Sequence, residues 1–583
     1  MSEAGSGTGG QAETAEQKIR EWFHQAMAFH KAILLTEAAA LYEQILELAP
    51  DHSATLHLLG VLRHSQRNFD EAIRLLSAAV AAMPENPAFH AALGAALRGA
   101  DRTEEALAAY DRAVALRPDF AEAHNLRGTA LQRLDRIEGA IEAYRTALAQ
   151  RPDYAEAYNN LGTALRRAGR GKEALEAYRS ALAHRPSYVD ALGNLGKVEI
   201  ELGEHLAAVD TYRRLLALRG DDFEALKALG EMFIILDRDE EALSYYAAAL
   251  DQRPRDVSLL DGLSVALLVL DRLGEALALL ETAANIDPRH AGVQLHYGIA
   301  LEKAGRVDDA VAALRAAIVL DPTLPLVHFT LGMLCLAIGE RDEAQAVFAT
   351  WYRLEPDHPT ARHMMAAVSG TDVPPRASAS YIVETFDTFA KTFDRQLERL
   401  DYQGPQLLDG MLRAQPPADA GSLMVADLGC GTGLCGQFLR PLARHLVGVD
   451  LAPEMLGRAR RRELYDELVA ADLVDFLAAR PAGFDLIVAA DTLIYFGDLA
   501  PVLGTIASAL RIAGRAVFSL EEAVDAGDQE TFVLDQSGRY QQTESYVLRS
   551  LAAAGLGLLA LERKVIRTEG GRPVQGLIVL AGK

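Results

Sequence analysis

Three glycines and three carboxylates in this sequence have the types and spacing to hold a nucleoside-like ligand. Val425-Ala426-Asp427-Leu428 is an apolar run, and Gly429, Gly431 and Gly433 follow it at intervals of two. Glycines there let backbone pass close to a ligand with no Cβ in the way. Asp427, just ahead of them, suits a ligand that carries a positive amino group. Asp450 ends the next apolar run, 23 residues after Asp427, where a carboxylate can accept both hydroxyls of a ribose. Asp472 ends a third run, in position to accept from an exocyclic adenine amine. Cys430 lies inside the glycine loop and Cys435 just after it; both read as packing residues, not nucleophiles.

Strands must carry these residues. The apolar runs predict strands at Leu423–Leu428, Leu446–Asp450, Leu468–Ala471, Phe484–Ala489 and Ala516–Leu520, with two late strands near Leu558–Val565 and Val574–Leu580. Helical stretches alternate with them, and Tyr381–Leu412 reads as amphipathic helix. Alternation of this kind, with continuous apolar strands, predicts a parallel sheet covered on both faces. Thr371-Asp372-Val373-Pro374-Pro375-Arg376, followed by Ala-Ser-Ala-Ser, cannot continue a helix and reads as a linker.

Before the linker the sequence repeats. Prolines fall at Pro50, Pro84, Pro118, Pro152, Pro186, Pro254, Pro288, Pro322 and Pro356, every gap being 34 except one of 68. Alanines from Ala38 to Ala344 and glycines from Gly60 to Gly332 keep the same period, with Ser264 filling one glycine place. Each unit reads as helix, short turn, helix, as in Ala155–Arg167, Gly169 and Lys172–Ala183, with Pro186 as the stop. The small residues let paired helices approach closely. Tyr110, Tyr144, Tyr178, Tyr212 and Tyr246 share one register and are expected to fill gaps between neighbouring units.

The repeat resembles the tetratricopeptide repeat (TPR) family: nine full units from Ser53 to His358, and a divergent one from about Ile19. Pro359–Val368 starts another unit and stops at Gly370, as a capping helix would. Such arrays bind peptides or proteins along a concave face. The resemblance puts Arg98, Arg133, Arg166 and Arg167 there, with Asn125, Asn159, Asn160 and Asn194 nearby. Two readings stay open: a groove for an acidic extended peptide, and a solvated face. Ile234, Ile235, Leu268 and Val269 take matching places in later units, with packing on the C-terminal domain as a further possibility.

From Tyr381 onward the sequence closely resembles the class I S-adenosylmethionine (SAM)-dependent methyltransferases. Asp427–Gly433 matches their first motif. Asp450 and Leu451 match the ribose-binding motif, Asp472 and Leu473 the adenine-side motif, and Phe484–Asp491 the motif on the fourth strand. The resemblance implies a SAM site built from Asp427, Gly429, Gly431, Gly433, Asp450, Leu451, Asp472 and Leu473, with Tyr381 on a helix over the cofactor. On the acceptor side it implies Asp491, Tyr495 and Tyr540 as catalytic candidates, with Arg539 nearby. Structural alternatives are a helix N-cap for Asp491 and plain packing for the tyrosines. A dinucleotide-binding fold would prefer Gly-x-Gly-x-x-Gly instead. No Asn/Asp-Pro-Pro-Tyr stretch follows the fourth strand, unlike the family's amino-methylating nucleic-acid enzymes. The whole arrangement is similar to a bacterial group of predicted TPR-methyltransferases, through Tyr381–Asp394, Leu400-Asp401-Tyr402, Pro405 and Ser537–Thr543 with Tyr546-Val547. That group's pattern puts His near Gln542 and Tyr near Phe389, which leaves the acceptor chemistry open.

The expected fold class is therefore α + α/β multidomain: an N-terminal α-solenoid of TPR repeats and a class I, Rossmann-like domain. The boundaries are a disordered tail at 1–18, the solenoid at 19–358, capping helix and linker at 359–380, and the methyltransferase domain at 381–583. The expected activity is SAM-dependent methyl transfer, with the array recruiting a protein or peptide partner or substrate. The alternative is a TPR scaffold with an inactive or SAM-sensing domain. Net charge fits neither a nucleic-acid partner nor an anionic surface. The chain carries −23 overall, and residues 381–583 carry 20 Lys+Arg against 27 Asp+Glu, or −7. Arg458, Arg460, Arg461 and Arg462 sit beside acids and read as a solvated helix face. Three cysteines exclude a disulfide framework and a four-cysteine zinc site, and fit a reducing, cytoplasmic compartment. No apolar run reaches membrane-spanning length, and no metal site is expected.

Overall fold

The computed structural model describes residues 9–324, 326–417, 421–524 and 531–583. It divides into two units, Met1–Gln252 and Arg253–Lys583.

The first unit is seven antiparallel helix pairs, from Gly9–Lys31 with Leu35–Leu48 to Phe223–Ile235 with Asp239–Gln252. Residues 1–8 of the expected tail lie outside the described residues. The remainder of that tail is helical, because helix Gly9–Lys31 runs through it. Its Gln11–Lys18 stretch is rich in Ala, Glu and Gln, which favour helix.

The repeat's glycine and aromatic registers are one device. A Cβ on Gly162 would lie 2.7 Å from the Tyr178 ring, and Gly94 meets Tyr110, Gly128 meets Tyr144 and Gly196 meets Tyr212 in the same way at 2.6 Å. Each glycine is on the first helix and each ring on the second helix of the same pair. The tyrosines therefore fill space within their own unit, not between units as the register suggested. Bare backbone is needed because the ring lies directly on it. Between the helices, the turn needs a left-handed residue every 34 positions, supplied by Asp101 (φ 60), Asp135 (φ 59), Gly169 (φ 73), Gly203 (φ 75) and Asp237 (φ 58).

Three of the four arginines expected on the concave face are occupied. Arg133 pairs with Asp101 at 3.3 Å, Arg167 with Asp135 at 2.8 Å and Arg166 with Glu201 at 2.5 Å. Each pair joins one repeat to the next, so these cations are not free for an acidic peptide. The asparagines form a ladder instead: Asn160 donates to Asn125 and Asn194 to Asn159, both at 3.0 Å.

The second unit begins with three more helix pairs, the last being Val327–Ile338 with Arg341–Leu354. Helix Pro359–Ser369 follows, but it does not end the array in solvent. The His363 ring stacks on Tyr381 with centroids 4.0 Å apart, and its Nε2 lies 2.8 Å from the Gly538 carbonyl oxygen. Ala366 and Ala367 pack with Leu534 and Tyr540. The expected linker is likewise strapped down. The Pro374 carbonyl accepts from the Tyr540 hydroxyl at 2.6 Å, and the Pro375 carbonyl accepts from the Gly497 and Asp498 amides at 3.0 and 2.8 Å.

The stretch expected to be helical, Tyr381–Leu412, is divided among three helices: Ala379–Phe389, Phe393–Arg399 and Gly404–Ala414. Asp401 takes φ 50 and Pro405 starts the third, so no continuous helix can pass.

The sheet has nine strands: β1 Leu423–Leu428, β2 Ala443–Asp450, β3 Glu467–Ala470, β4 Phe484–Ala489, β5 Leu510–Glu522, β6 Phe532–Leu534, β7 Tyr540–Gln542, β8 Gly557–Glu569 and β9 Arg572–Gly582. Their order is β3-β2-β1-β4-β5-β7-β6, with β9 antiparallel to β5 and to β8. β1 to β5 are parallel. Two packed layers cover the faces, one around Phe476, Phe484 and Leu503, the other around Leu408, Met411 and Leu439. The chain order reverses next to β1, so a crevice opens beyond its C-terminal end. Among the described residues no helix is long and apolar enough to cross a membrane.

Gly162→Val is expected to cost about 1–3 kcal/mol by overpacking against Tyr178. Thermal unfolding of the full chain would measure it. The same substitution should cost much less in a Tyr178→Ala background; equal costs in the two would refute the ring-on-glycine account.

Candidate active site

A cavity of about 430 Å³ lies at the C-terminal edge of β1, β2 and β4. The turn after β1 shapes it. Gly429, Gly431 and Gly433 all have positive φ, at 62°, 52° and 90°. A Cβ on Gly429 would clash with Thr492, whose hydroxyl donates to the Leu428 carbonyl at 2.8 Å. A Cβ on Gly431 would meet almost nothing but the edge of Phe393 at 3.9 Å; it would stand in the cavity. Gly433 faces the other way, onto Tyr465 and Ala459, and does not line the cavity.

Asp450 lines the cavity and is anchored. Its carboxylate accepts from the Gly431 amide at 2.8 Å and the Ala452 amide at 2.9 Å. Burial raises its pKa, and those two amides together with that of Leu451 oppose the rise. Leu451 and Leu473 line the cavity beside it. Asp472 caps the helix Leu473–Ala478 by accepting from the Val474 amide at 2.9 Å, and it pairs with Arg376 at 3.1 Å. Arg376 belongs to the linker, and the sequence reading missed it.

Asp427 sits beneath the loop, 1% exposed and outside the cavity lining. It accepts from the Tyr465 hydroxyl at 2.7 Å, and burial pushes its pKa up to about 7.

Two short helices roof the site. Asp387 accepts from the Glu454 amide at 3.1 Å. Asp394 accepts from the Thr432 hydroxyl at 2.5 Å and pairs with Arg462 at 2.5 Å. Arg462, expected on a solvated face, instead turns inward and also donates to the Thr432 carbonyl at 2.7 Å. Tyr381, Phe386, Phe389 and Phe393 from these helices line the cavity. Burial pushes the Tyr381 phenol up to about 12, so it is protonated at neutral pH.

Asp491 and Tyr495 line the far end. Asp491 is no helix N-cap; its φ is 47° and both carboxylate oxygens are taken. Ser519 donates to one at 2.7 Å, and Arg567 pairs with the other at 2.7 Å. Arg567, 4% exposed, also pairs with Glu521 and, at 2.6 Å, with Glu569. Arg539 pairs with Glu521 at 2.6 Å and Glu569 at 2.7 Å. Two arginines and three carboxylates thus form one largely buried network with a formal charge of −1 and with Glu569 at its more exposed edge. The sequence reading missed Arg567, Glu521 and Glu569, because β5 and β8 lie almost fifty residues apart and only the fold joins them.

Tyr540 is a correction. It is fully buried, its hydroxyl is spent on Pro374, and it does not line the cavity. Gln542, one of the two departures from the group's pattern, is also away from the cavity and donates to the Phe496 carbonyl at 2.7 Å. Phe389, the other departure, is in the cavity wall. Cys430 and Cys435 are buried and both border the cavity; burial holds their thiols well above the usual pKa, which disfavours the thiolate.

A family described as a methyltransferase domain matches residues 426–516, and tetratricopeptide repeat families match residues 35–96, 63–130, 125–189, 192–321 and 301–368. The chain joins tetratricopeptide repeats to a methyltransferase domain. It is 38% identical over 61 residues to an 18S rRNA (guanine-N(7))-methyltransferase of Bos taurus, covering 10% of this chain and 22% of that protein. It is 33% identical over 120 residues to a ubiquinone biosynthesis O-methyltransferase of Xylella fastidiosa, covering 20% and 47%. The chain spans less than half the length of these curated relatives. Among solved structures, a tetratricopeptide repeat protein from Parabacteroides merdae matches with TM-score 0.36 and 20% identity, over 43% of this chain and 98% of that one. The matched methyltransferase region contains the glycine loop, Asp450, Asp472 and Asp491, and ends inside β5.

Asp427 yields a pH prediction. Its folded pKa, near 7, lies above the value near 4 of an unfolded Asp. The folded state therefore prefers the protonated carboxyl, and stability is lost as pH rises from about 4 to 7. Asp427→Asn should remove that loss, gaining on wild type by roughly 1 kcal/mol per pH unit across the window. Chemical denaturation at pH 5, 6 and 7 would test it; a pH-independent difference would contradict the burial account.

Proposed function

We propose that this chain is an S-adenosylmethionine-dependent methyltransferase whose cofactor occupies the cavity beyond β1 and β2. The observation that carries it is the Gly431–Asp450 pair. A bare left-handed backbone leaves a cradle that one Cβ would fill, and its amide fixes a carboxylate at the rim. Asp450 would take the ribose hydroxyls, with Leu451 beside the sugar. Asp472 and Leu473 would take the adenine, with Arg376 holding Asp472 in place. Gly429, held close to Thr492, keeps the loop low enough for a ligand to lie on it. Asp427 and Gly433 act from behind, setting the loop's shape through Tyr465.

When bound, the cofactor supplies a methyl group already activated on a sulfonium, so the protein's work is alignment and exclusion of water. Tyr381 and Phe386 would exclude water from above. Tyr495 would border the acceptor, with its ring edge-on to Phe386 at 5.6 Å. Asp491, held by Ser519 and Arg567, would orient an acceptor through the network and not serve as a free base. We also infer that the repeats hold a protein or peptide partner on their concave face; support for this is the repeat family itself.

Asp450→Ala should weaken cofactor binding by about ten- to a hundred-fold, the cost of a lost buried charge-assisted hydrogen bond. Calorimetry on the full chain would read it, and an unchanged dissociation constant would sink the ribose assignment. Methyl-labelled SAM incubated with cell extract should label a product with wild type and none with Gly431→Arg.

A further inference from the structure

The cavity that contains the glycine cradle also has an aromatic, apolar lining, a chamber part of whose wall comes from the repeats. Phe329 and Met333 stand one turn apart on the first helix of the last full repeat, Val327–Ile338, and both line the cavity. Phe329 meets Phe389 of the roof with ring centroids 6.3 Å apart. Phe393, Leu397 and Leu400 continue the apolar surface.

Among the described residues that line it, the chamber offers no free positive charge. Three arginines line the cavity, and each is paired: Arg376 with Asp472 at 3.1 Å, Arg539 with Glu569 at 2.7 Å and Arg567 with Asp491 at 2.7 Å. The network behind the chamber carries one more carboxylate than it has arginines. A carboxylate or phosphate brought here would lose its water and meet excess negative charge, with no cation to compensate. An uncharged apolar molecule would lose nothing polar and gain contact with aromatic rings, a thioether and aliphatic side chains. Cradle and chamber together make one cavity of about 430 Å³, within the range of small-molecule sites.

We propose that this chamber binds an uncharged, largely apolar small molecule as the methyl acceptor, and that Phe329 and Met333 form the wall that selects it. As acceptor chemistry this rests on the methyltransferase reading above; as a binding chamber it stands alone. On this account the last repeat is part of the substrate site, and the array is more than a platform for a partner.

The test uses the full chain and three readouts. Nile red, an uncharged apolar dye, should bind saturably, and 1-decanol should displace it at least about tenfold better than decanoate. Met333→Trp and Phe329→Trp, which fill the chamber, should each weaken the dye by about tenfold while calorimetric SAM affinity stays near the wild-type value. Met333→Leu, which keeps the volume, should retain dye binding. Retained SAM affinity also shows that the variants are folded. Dye binding indifferent to both tryptophans, or displacement led by decanoate, would overturn the chamber. Methyl label carried from SAM into protein, with no label in apolar extract, would overturn the acceptor class. Absence of SAM binding in wild type would overturn the methyltransferase reading instead, and the dye arms would still decide the chamber.

Discussion

The site depends on Asp394. One of its oxygens holds Thr432 of the glycine loop and the other holds Arg462 of the helix after β2. A buried or half-buried carboxylate is stable when its oxygens meet donors and a cation, and Asp394 has both. It also belongs to the second roof helix. The roof is thereby pinned to the floor at the glycine loop, the place where a methyl donor would lie. Without that pin, two helices of eleven and seven residues would have little reason to stay, because isolated helices so short are not stable in water.

A short roof must also bury its outer face, and the last repeats do this. Glu384 accepts from Thr360 at 2.6 Å and lies 3.1 Å from His358. Tyr381 stacks on His363, Phe389 meets Phe329, and Arg399 pairs with Asp271. The capping helix thus serves as an interface. The sequence pattern stops the repeat at Gly370 because the next surface is the methyltransferase domain, not water. Leu268 and Val269, which take the places of arginines in earlier repeats, are the last two residues of helix Val257–Val269, just ahead of Asp271 and its ion pair with the roof.

Legibility followed the range of the interactions. Local rules carried the repeat, since a 34-residue period is written in prolines, alanines and glycines. They carried β1 and β4 to the residue, and placed Gly429, Gly431, Asp450 and Asp472 around one cavity. They failed where a role depends on partners distant in sequence. Tyr540 was a catalytic candidate next to Arg539, yet Arg539, just ahead of β7, lines the cavity, while Tyr540, its first residue, packs against Leu534, Ala366 and Ala367. Asp491 was read as a catalytic candidate or a helix N-cap, and neither reading foresaw Arg567, which β8 brings to it. The β6–β7 hairpin was invisible because its strands have three residues each, too few to show a period.

The buried network also explains why the domain's last two strands are long. β8 and β9 run 13 and 11 residues, well past the core they cover. The extra length brings Arg567 and Glu569 to the cavity edge, 76 residues after Asp491 for the ion pair that matters most. Removing one partner of such a network would leave an uncompensated buried charge, which costs more than the pair contributes. The five groups therefore act as one rigid polar wall. The roof and the last repeat supply an apolar wall to the same cavity. A molecule lying between the two walls would be oriented by that contrast, with its one polar group toward Asp491 and its apolar body toward Phe329. The contrast needs both ends of the chain's second unit, which is a physical reason for the two families to be fused in one polypeptide.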